Sequence, residues 1–251
     1  MKAIYSISLM VAAVALLALS MPVQASTMDD RIESSAKKSY VFKTYLKDDD
    51  IKIQSKDGAV TLTGIVSEEY HKSLAQETLA GLPGVKSVDN RLELKGAAPT
   101  ANSDAWLRDK VKATLLFHRS VSAANTEVDV KDGIVTLRGN ATSQAQKDLT
   151  TEYAKDVEGV KDVTNEMTVT KTSKKTQTVG EKIDDASITA LVKMTLLFHR
   201  STSALNTTVA TKRGVVTVGG KARNAAEKDL VTKLVNDVNG VKGVTNRMIV
   251  E

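Results

Sequence analysis

Cysteine is absent from the 251 residues. No disulfide can staple this chain, no thiol can act as a nucleophile, and no cysteine can ligate a metal. Aromatic residues are sparse, with one Trp, three Phe and five Tyr. That is too few to stack successive bases, so nucleic acid is not an expected partner. Histidine occurs only at positions 71, 118 and 199. His118 and His199 have neither a His nor a carboxylate at i+4, and no serine is framed by glycines as in a nucleophile elbow. These absences point away from an enzyme, a metal, a cofactor and a small-molecule substrate.

The first residues read as an export signal. Lys2 precedes an apolar run from Ile7 to Leu19, which is followed by Pro22 and the small-residue spacing Val23-Gln24-Ala25. The run is too short for a comfortable membrane span. It reads as a cleavable signal peptide over residues 1–25, cut after Ala25 and directing export. No cysteine stands near the cut to carry a lipid.

What is present is one phrase written three times. Asp57-Gly58-Ala59-Val60-Thr61-Leu62-Thr63-Gly64 returns as Asp132-Gly133-Ile134-Val135-Thr136-Leu137-Arg138-Gly139 and as Arg213-Gly214-Val215-Val216-Thr217-Val218-Gly219-Gly220. Gly84, Gly159 and Gly240 each open a second shared phrase ending at Asn90, Asn165 and Asn246. The offsets, 75 and 81 residues, are too long for a solenoid and describe three tandem small domains. Their bounds are residues 28–95, 103–170 and 184–251. Units of this size bury only about 60% of their unfolded surface, so contact between neighbours is expected to add stability.

Periodicity gives the elements. Ile32/Ala36/Tyr40, Leu107/Val111/Leu115 and Ile188/Val192/Leu196 fall at i, i+4, i+8, one apolar stripe of a first helix. Asp104 and Asp185 stand at the helix starts, where they suit the dipole and can cap free N–H groups. A hairpin follows, with Gly58, Gly133 and Gly214 turning it. Val60/Leu62, Val135/Leu137 and Val216/Val218 point inward. Gly64, Gly139 and Gly220 close the returning strand. The second helix carries Leu74/Thr78/Leu82, Leu149/Tyr153/Val157 and Leu230/Leu234/Val238. Ser67, Ser143 and Asn224 are its candidate N-caps, and Gly84, Gly159 and Gly240 its C-terminal stops. A last strand, joined by a short crossover, pairs in parallel with its predecessor. The expected class is α+β: three αββαβ domains, each a three-stranded mixed sheet packed on two helices. Residues 96–102 are short and contain Pro99, so repeats one and two should lie close. Residues 171–183 form a longer basic linker that should let repeat three swing.

This combination of a helix, a Gly-Val-Val-Thr-Leu-x-Gly strand, a second helix and Gly-Val-x-x-Val-x-Asn-x-(Met/Leu)-x-Val resembles the BON domain. The resemblance implies a periplasmic protein of the osmotic and envelope stress response, whose repeats contact phospholipid membranes. A chaperone-like role toward outer-membrane clients is the alternative it implies. It implies no enzyme activity.

Charge is uneven. Repeat one has 11 basic and 12 acidic residues, repeat two 9 and 11, residues 171–183 4 and 1, and repeat three 10 and 6. The basic C-terminal third is thus the part drawn to anionic surfaces. Lys171, Lys174, Lys175, Lys212 and Arg213 are candidate contacts with an anionic phospholipid surface or an envelope protein. Thr114-Leu115-Leu116-Phe117-His118-Arg119-Ser120 recurs verbatim at residues 195–201. Its His118, Arg119, His199 and Arg200 read either as a basic rim for a lipid or partner, or as neutralisers of a helix C-terminus. Trp106 reads either as a ring for a membrane interface or as packing against the linker or repeat one.

Overall fold

A computed structural model describes residues 23–170 and 182–251. The expected signal segment up to residue 22, and Lys171, Lys174 and Lys175, lie outside the described residues.

Repeat one comprises α1 (Val23–Lys38), α2 (Tyr40–Thr44), β1 (Asp50–Lys56), β2 (Ala59–Val66), α3 (Glu69–Ala80) and β3 (Ser87–Leu94). Repeat two comprises α4 (Asp104–Phe117), β4 (Thr126–Lys131), β5 (Ile134–Ala141), α5 (Gln144–Lys155), β6 (Asp162–Asn165) and β7 (Thr168–Val169). Repeat three comprises α6 (Asp185–Phe198), β8 (Thr207–Lys212), β9 (Val215–Ala222), α7 (Ala225–Asp237), β10 (Gly243–Asn246) and β11 (Ile249–Val250). In each repeat the middle strand pairs antiparallel with the hairpin strand before it and parallel with the closing strand. The expected mixed sheet is therefore formed three times. The closing strand is continuous in repeat one and split in two in the others.

Asp104 and Asp185 do more than suit a dipole. Ser103 and Asp184 are the N-caps of α4 and α6. Asp104 instead accepts the N–H groups of Asp132 and Gly133 at 2.8 and 2.9 Å, and Asp185 those of Arg213 and Gly214 at 2.7 and 2.8 Å. Asp29 does the same for Asp57 and Gly58. The first helix of each repeat thus latches its own hairpin turn, whose two residues both have positive φ. Asn90, Asn165 and Asn246 form a second latch, each donating to a carbonyl of the second helix at 2.8–2.9 Å.

Three local expectations change. In repeat one the first helix breaks at Ser39, whose Oγ donates to the Ala36 carbonyl and accepts from Phe42 N–H. Val41, not Tyr40, then enters the core. The break frees the N–H groups of Tyr40 and Val41 to bond Asp184 and Ser187 of repeat three at 2.8 and 3.1 Å. Glu68, not Ser67, precedes α3, while Ser143 and Asn224 do cap α5 and α7. Gly84, Gly159 and Gly240 have positive φ but stand three or four residues beyond the helix ends. They let that turn press on the first helix: a Cβ on Gly159 would sit 2.7 Å from Leu107.

The larger correction concerns repeat three. It does not swing from its linker but packs on both other repeats. One buried cluster contains Leu74, Leu79 and Val41 of repeat one, Leu191, Leu196 and Val235 of repeat three, and Phe117 of repeat two. Repeat two keeps its own core around Leu107, Leu115, Leu137 and Met167.

Candidate functional site

The duplicated segment closes the contact between repeats two and three. Helices α4 and α6 end at Phe117 and Phe198, and His118 and His199 leave them with extended backbones. Each His then forms an antiparallel bridge with the end of the other repeat's second helix, His118 with Val238 and His199 with Val157. Arg119 N–H donates to the Asp237 carbonyl (3.0 Å) and Asn239 N–H to that of Phe117 (2.9 Å). Arg200 N–H donates to the Asp156 carbonyl (2.9 Å) and Glu158 N–H to that of Phe198 (3.0 Å). The two halves exchange equivalent bonds, so repeats two and three meet about a pseudo-two-fold axis, as in an isologous dimer.

The side chains follow the same exchange. His118 is 2% exposed, stacks on Tyr153 with ring centroids 3.9 Å apart, and faces Asp237 at 3.4 Å. His199 is 8% exposed and faces Asp156 at 3.5 Å. Ser201 N–H donates to His199 Nδ1 at 3.0 Å, which puts a ring proton on Nε2, toward Asp156. Arg119 donates to the Asn236 carbonyl. Arg200 donates to the carbonyls of Lys155, Val157 and Val160. Two arginines thus cap the partner helix's C-terminal carbonyls. Histidine donation to Asp156 holds that carboxyl below its ordinary range against the opposing effect of burial. Burial pushes Asp237 up, but His118, Ser120 and Tyr153 together outweigh it and hold the carboxyl low.

The lipid reading of His118 and His199 is therefore corrected, because both rings are buried between repeats. Arg119 and Arg200 are partly exposed, with guanidinium groups committed to backbone carbonyls. The helix-neutralising reading is closer, except that the helix end belongs to the facing repeat. Sequence reasoning missed Asp156 and Asp237, although a signal was there. An acidic residue at a helix C-terminus opposes the dipole, and it occurs in the two repeats that carry Phe-His-Arg. Repeat one has Gly81 at that position and Lys43-Thr44 in place of His-Arg.

Trp106 is half-buried in a cleft with Tyr70 of repeat one and Met194, Leu197 and Phe198 of repeat three, and Lys110 Nζ lies 3.5 Å from its ring centroid. At the contact of repeats one and two, burial and a hydrogen bond shared with Asp109 push the Glu68 carboxyl up to about 7. Lys212 and Arg213 are exposed at the third hairpin turn. Arg213, Lys182 and Lys242 line one groove of about 920 Å³ beside repeat one.

His71 is 6% exposed, and its Nδ1 lies 2.6 Å from Asp49 and 3.5 Å from Ser67 Oγ. Both contacts use one ring nitrogen, so the trio cannot relay a proton from serine to carboxylate as a hydrolase triad does. It occupies the place where Gln146 and Glu227 reach back to Thr142 and Arg223 N–H as capping boxes. Among the described residues no group of three or more His, Asp or Glu converges as a metal site.

Over 143 residues the chain is 32% identical to the osmotically-inducible protein Y of Escherichia coli K12, covering 55% of this chain and 71% of that one. It is 29% identical over 139 residues to the outer membrane lipoprotein DolP of Haemophilus influenzae, covering 55% and 70%. A solved structure of CdsD, from the type III secretion system of Chlamydia trachomatis, covers 88% of this chain and 90% of its own at 15% identity, with a TM-score of 0.24. The BON domain family matches residues 28–96, 103–171 and 184–251, and with the αββαβ unit formed at each of these places, the chain belongs to the BON-domain family, carrying three tandem copies.

Proposed function

We propose that this chain is a non-enzymatic periplasmic protein of the envelope stress response, which docks on anionic phospholipid surfaces through repeat three. The names of its relatives, one osmotically inducible and one an outer-membrane lipoprotein, agree with that setting. One observation carries the reading. Lys182, Arg213 and Lys242 face a single groove, and none of their side chains makes an ion pair among the described residues. The carboxylates in that groove, Asp184 and Asp185, are committed to backbone N–H groups. Lys212 extends this basic surface, and Lys171, Lys174 and Lys175 add basic charge to the sequence that precedes repeat three. Each base near an anionic bilayer contributes at most about 1 kcal/mol, so several must act together.

The test is co-sedimentation of the mature chain with anionic and with zwitterionic vesicles, at low and high salt, beside a Lys182→Glu/Arg213→Glu/Lys242→Glu variant. Binding confined to anionic vesicles, and lost in salt and in the variant, supports the reading. Binding indifferent to both overturns it. The holdase alternative needs exposed apolar helix faces. Much of that apolar surface is packed between repeats, and among the helix residues whose burial is described Met28 and Leu197 are the exposed large apolar ones.

A further inference from the structure

The junction of the three repeats holds a second kind of site, separate from the basic groove. A cleft of about 150 Å³ opens between Trp106, Tyr70 and Phe198. A second, of about 340 Å³, runs on between α3 and α6, and the two share Ser73, Met194 and Leu197. Together they form a trough with an apolar wall and a polar rim, and Glu69 and Asp109 line the same cleft as Lys110.

Internal symmetry marks this trough as uncovered. Leu116 and Leu197 are the same residue of the duplicated segment. Leu116 is half-buried against the core shared with repeat one, and its carbonyl accepts from Tyr45 and Asn239. Leu197 is 43% exposed at the trough. Charge marks one end. Of the two ammonium groups lining the trough, Lys193 is paired with Glu77 at 2.6 Å. Lys110 makes no hydrogen bond or ion pair among the described residues and lies over Trp106 at 3.5 Å and Phe198 at 5.4 Å. Burial lowers its pKa, with Glu158 opposing. The carboxylates of that cleft, Glu69 and Asp109, are paired with Lys72 and Arg108, which leaves Lys110 as the unpaired charge beside the apolar wall, complementary to one negative charge on one hydrocarbon chain.

We propose that this trough binds a single fatty acid, with its chain along Met194 and Leu197 and its carboxylate at Lys110. The site stands independently of vesicle docking through repeat three.

The only tryptophan lies in the cleft, so the test reads it directly. The mature chain is titrated with dibromostearate below its micellar concentration, following Trp106 quenching. Saturable quenching at one equivalent is expected. Lys110→Gln should weaken the affinity about tenfold, the loss of one charge-assisted contact, and Lys110→Arg should restore most of it. Leu197→Asn should weaken binding similarly while leaving vesicle co-sedimentation and the circular dichroism melt unchanged. The neutral methyl ester should bind weakly and identically to wild type and Lys110→Gln. Quenching that does not saturate, or an affinity indifferent to Lys110→Gln and Leu197→Asn, overturns the proposal even if vesicles still bind. Equal quenching by vesicles of a brominated two-chain phospholipid overturns the fatty-acid assignment.

Discussion

Asp156 and Asp237 occupy the same place in two copies of one domain, yet replacing them should have unequal costs. Asp237 accepts from Tyr153 Oη at 2.6 Å and from Ser120 Oγ, and faces His118, with 17% of its side chain exposed. Asp156 has only His199 at 3.5 Å among side chains and is 42% exposed. Leu234 stands in repeat three where Tyr153 stands in repeat two, so it offers Asp156 no hydroxyl. Asp237→Ala would strand the hydroxyls of Tyr153 and Ser120. Hydrogen bonds to a charged group contribute about 1.5–3 kcal/mol each, so a loss of about 3 kcal/mol is expected. Asp156→Ala removes only a long, solvent-open contact with His199 and should cost no more than about 1 kcal/mol. Urea unfolding at pH 7.5, followed by circular dichroism and by Trp106 fluorescence, measures both. Because both carboxyls are held below the ordinary 3.8, their contribution is present above that value and lost as pH falls through the lower folded value. The Asp237→Ala deficit should therefore shrink below pH 4. Equal deficits for the two variants, or a deficit for Asp237→Ala under about 1 kcal/mol, would refute the clasp as described.

Other expectations follow from single contacts. Glu68, raised from 4.5 to about 7, is protonated more readily folded than unfolded, so stability should fall as pH rises from 4.5 through 7. The full effect of about 3 kcal/mol is reduced to about 1–2 kcal/mol by solvent at this half-exposed group. Glu68→Gln should flatten a melting profile between pH 5 and 8, and an unchanged slope would contradict this. Gly139 has φ 119°, and a Cβ there would lie 1.9 Å from the Asn125 carbonyl. Gly139→Ala should cost at least about 3 kcal/mol through strain and backbone displacement. Gly96→Ala, at φ 89° with nothing within 4 Å, should cost about 1 kcal/mol in the same melt. Asp104→Ala should release the N–H groups of Asp132 and Gly133, seen as faster amide exchange at that turn with little change at the Asp57 and Arg213 turns.

The sequence by itself determined the unit: the order of its helices and strands, which strands pair in parallel, and that the pattern occurs three times. Those features rest on periods of 2 and 3.6 and on glycines at turns, information held within a few residues. Val60, Leu62, Val135, Leu137, Val216 and Val218 are buried as their alternation requires. Breaks set by distant partners were not legible. The kink at Ser39 becomes intelligible only beside Asp184 and Ser187, which receive the N–H groups it frees. Composition likewise made residues 171–183 look like a tether for a separate domain. Tertiary structure alone decided that repeat three buries its helices against both neighbours, and that His118 and His199 serve the interior rather than the surface. The physical reason is that a helix stripe records that a face is apolar but not what will cover it. A His-Arg pair at one helix end finds its carboxylate and free carbonyls only when the fold brings another helix end to it.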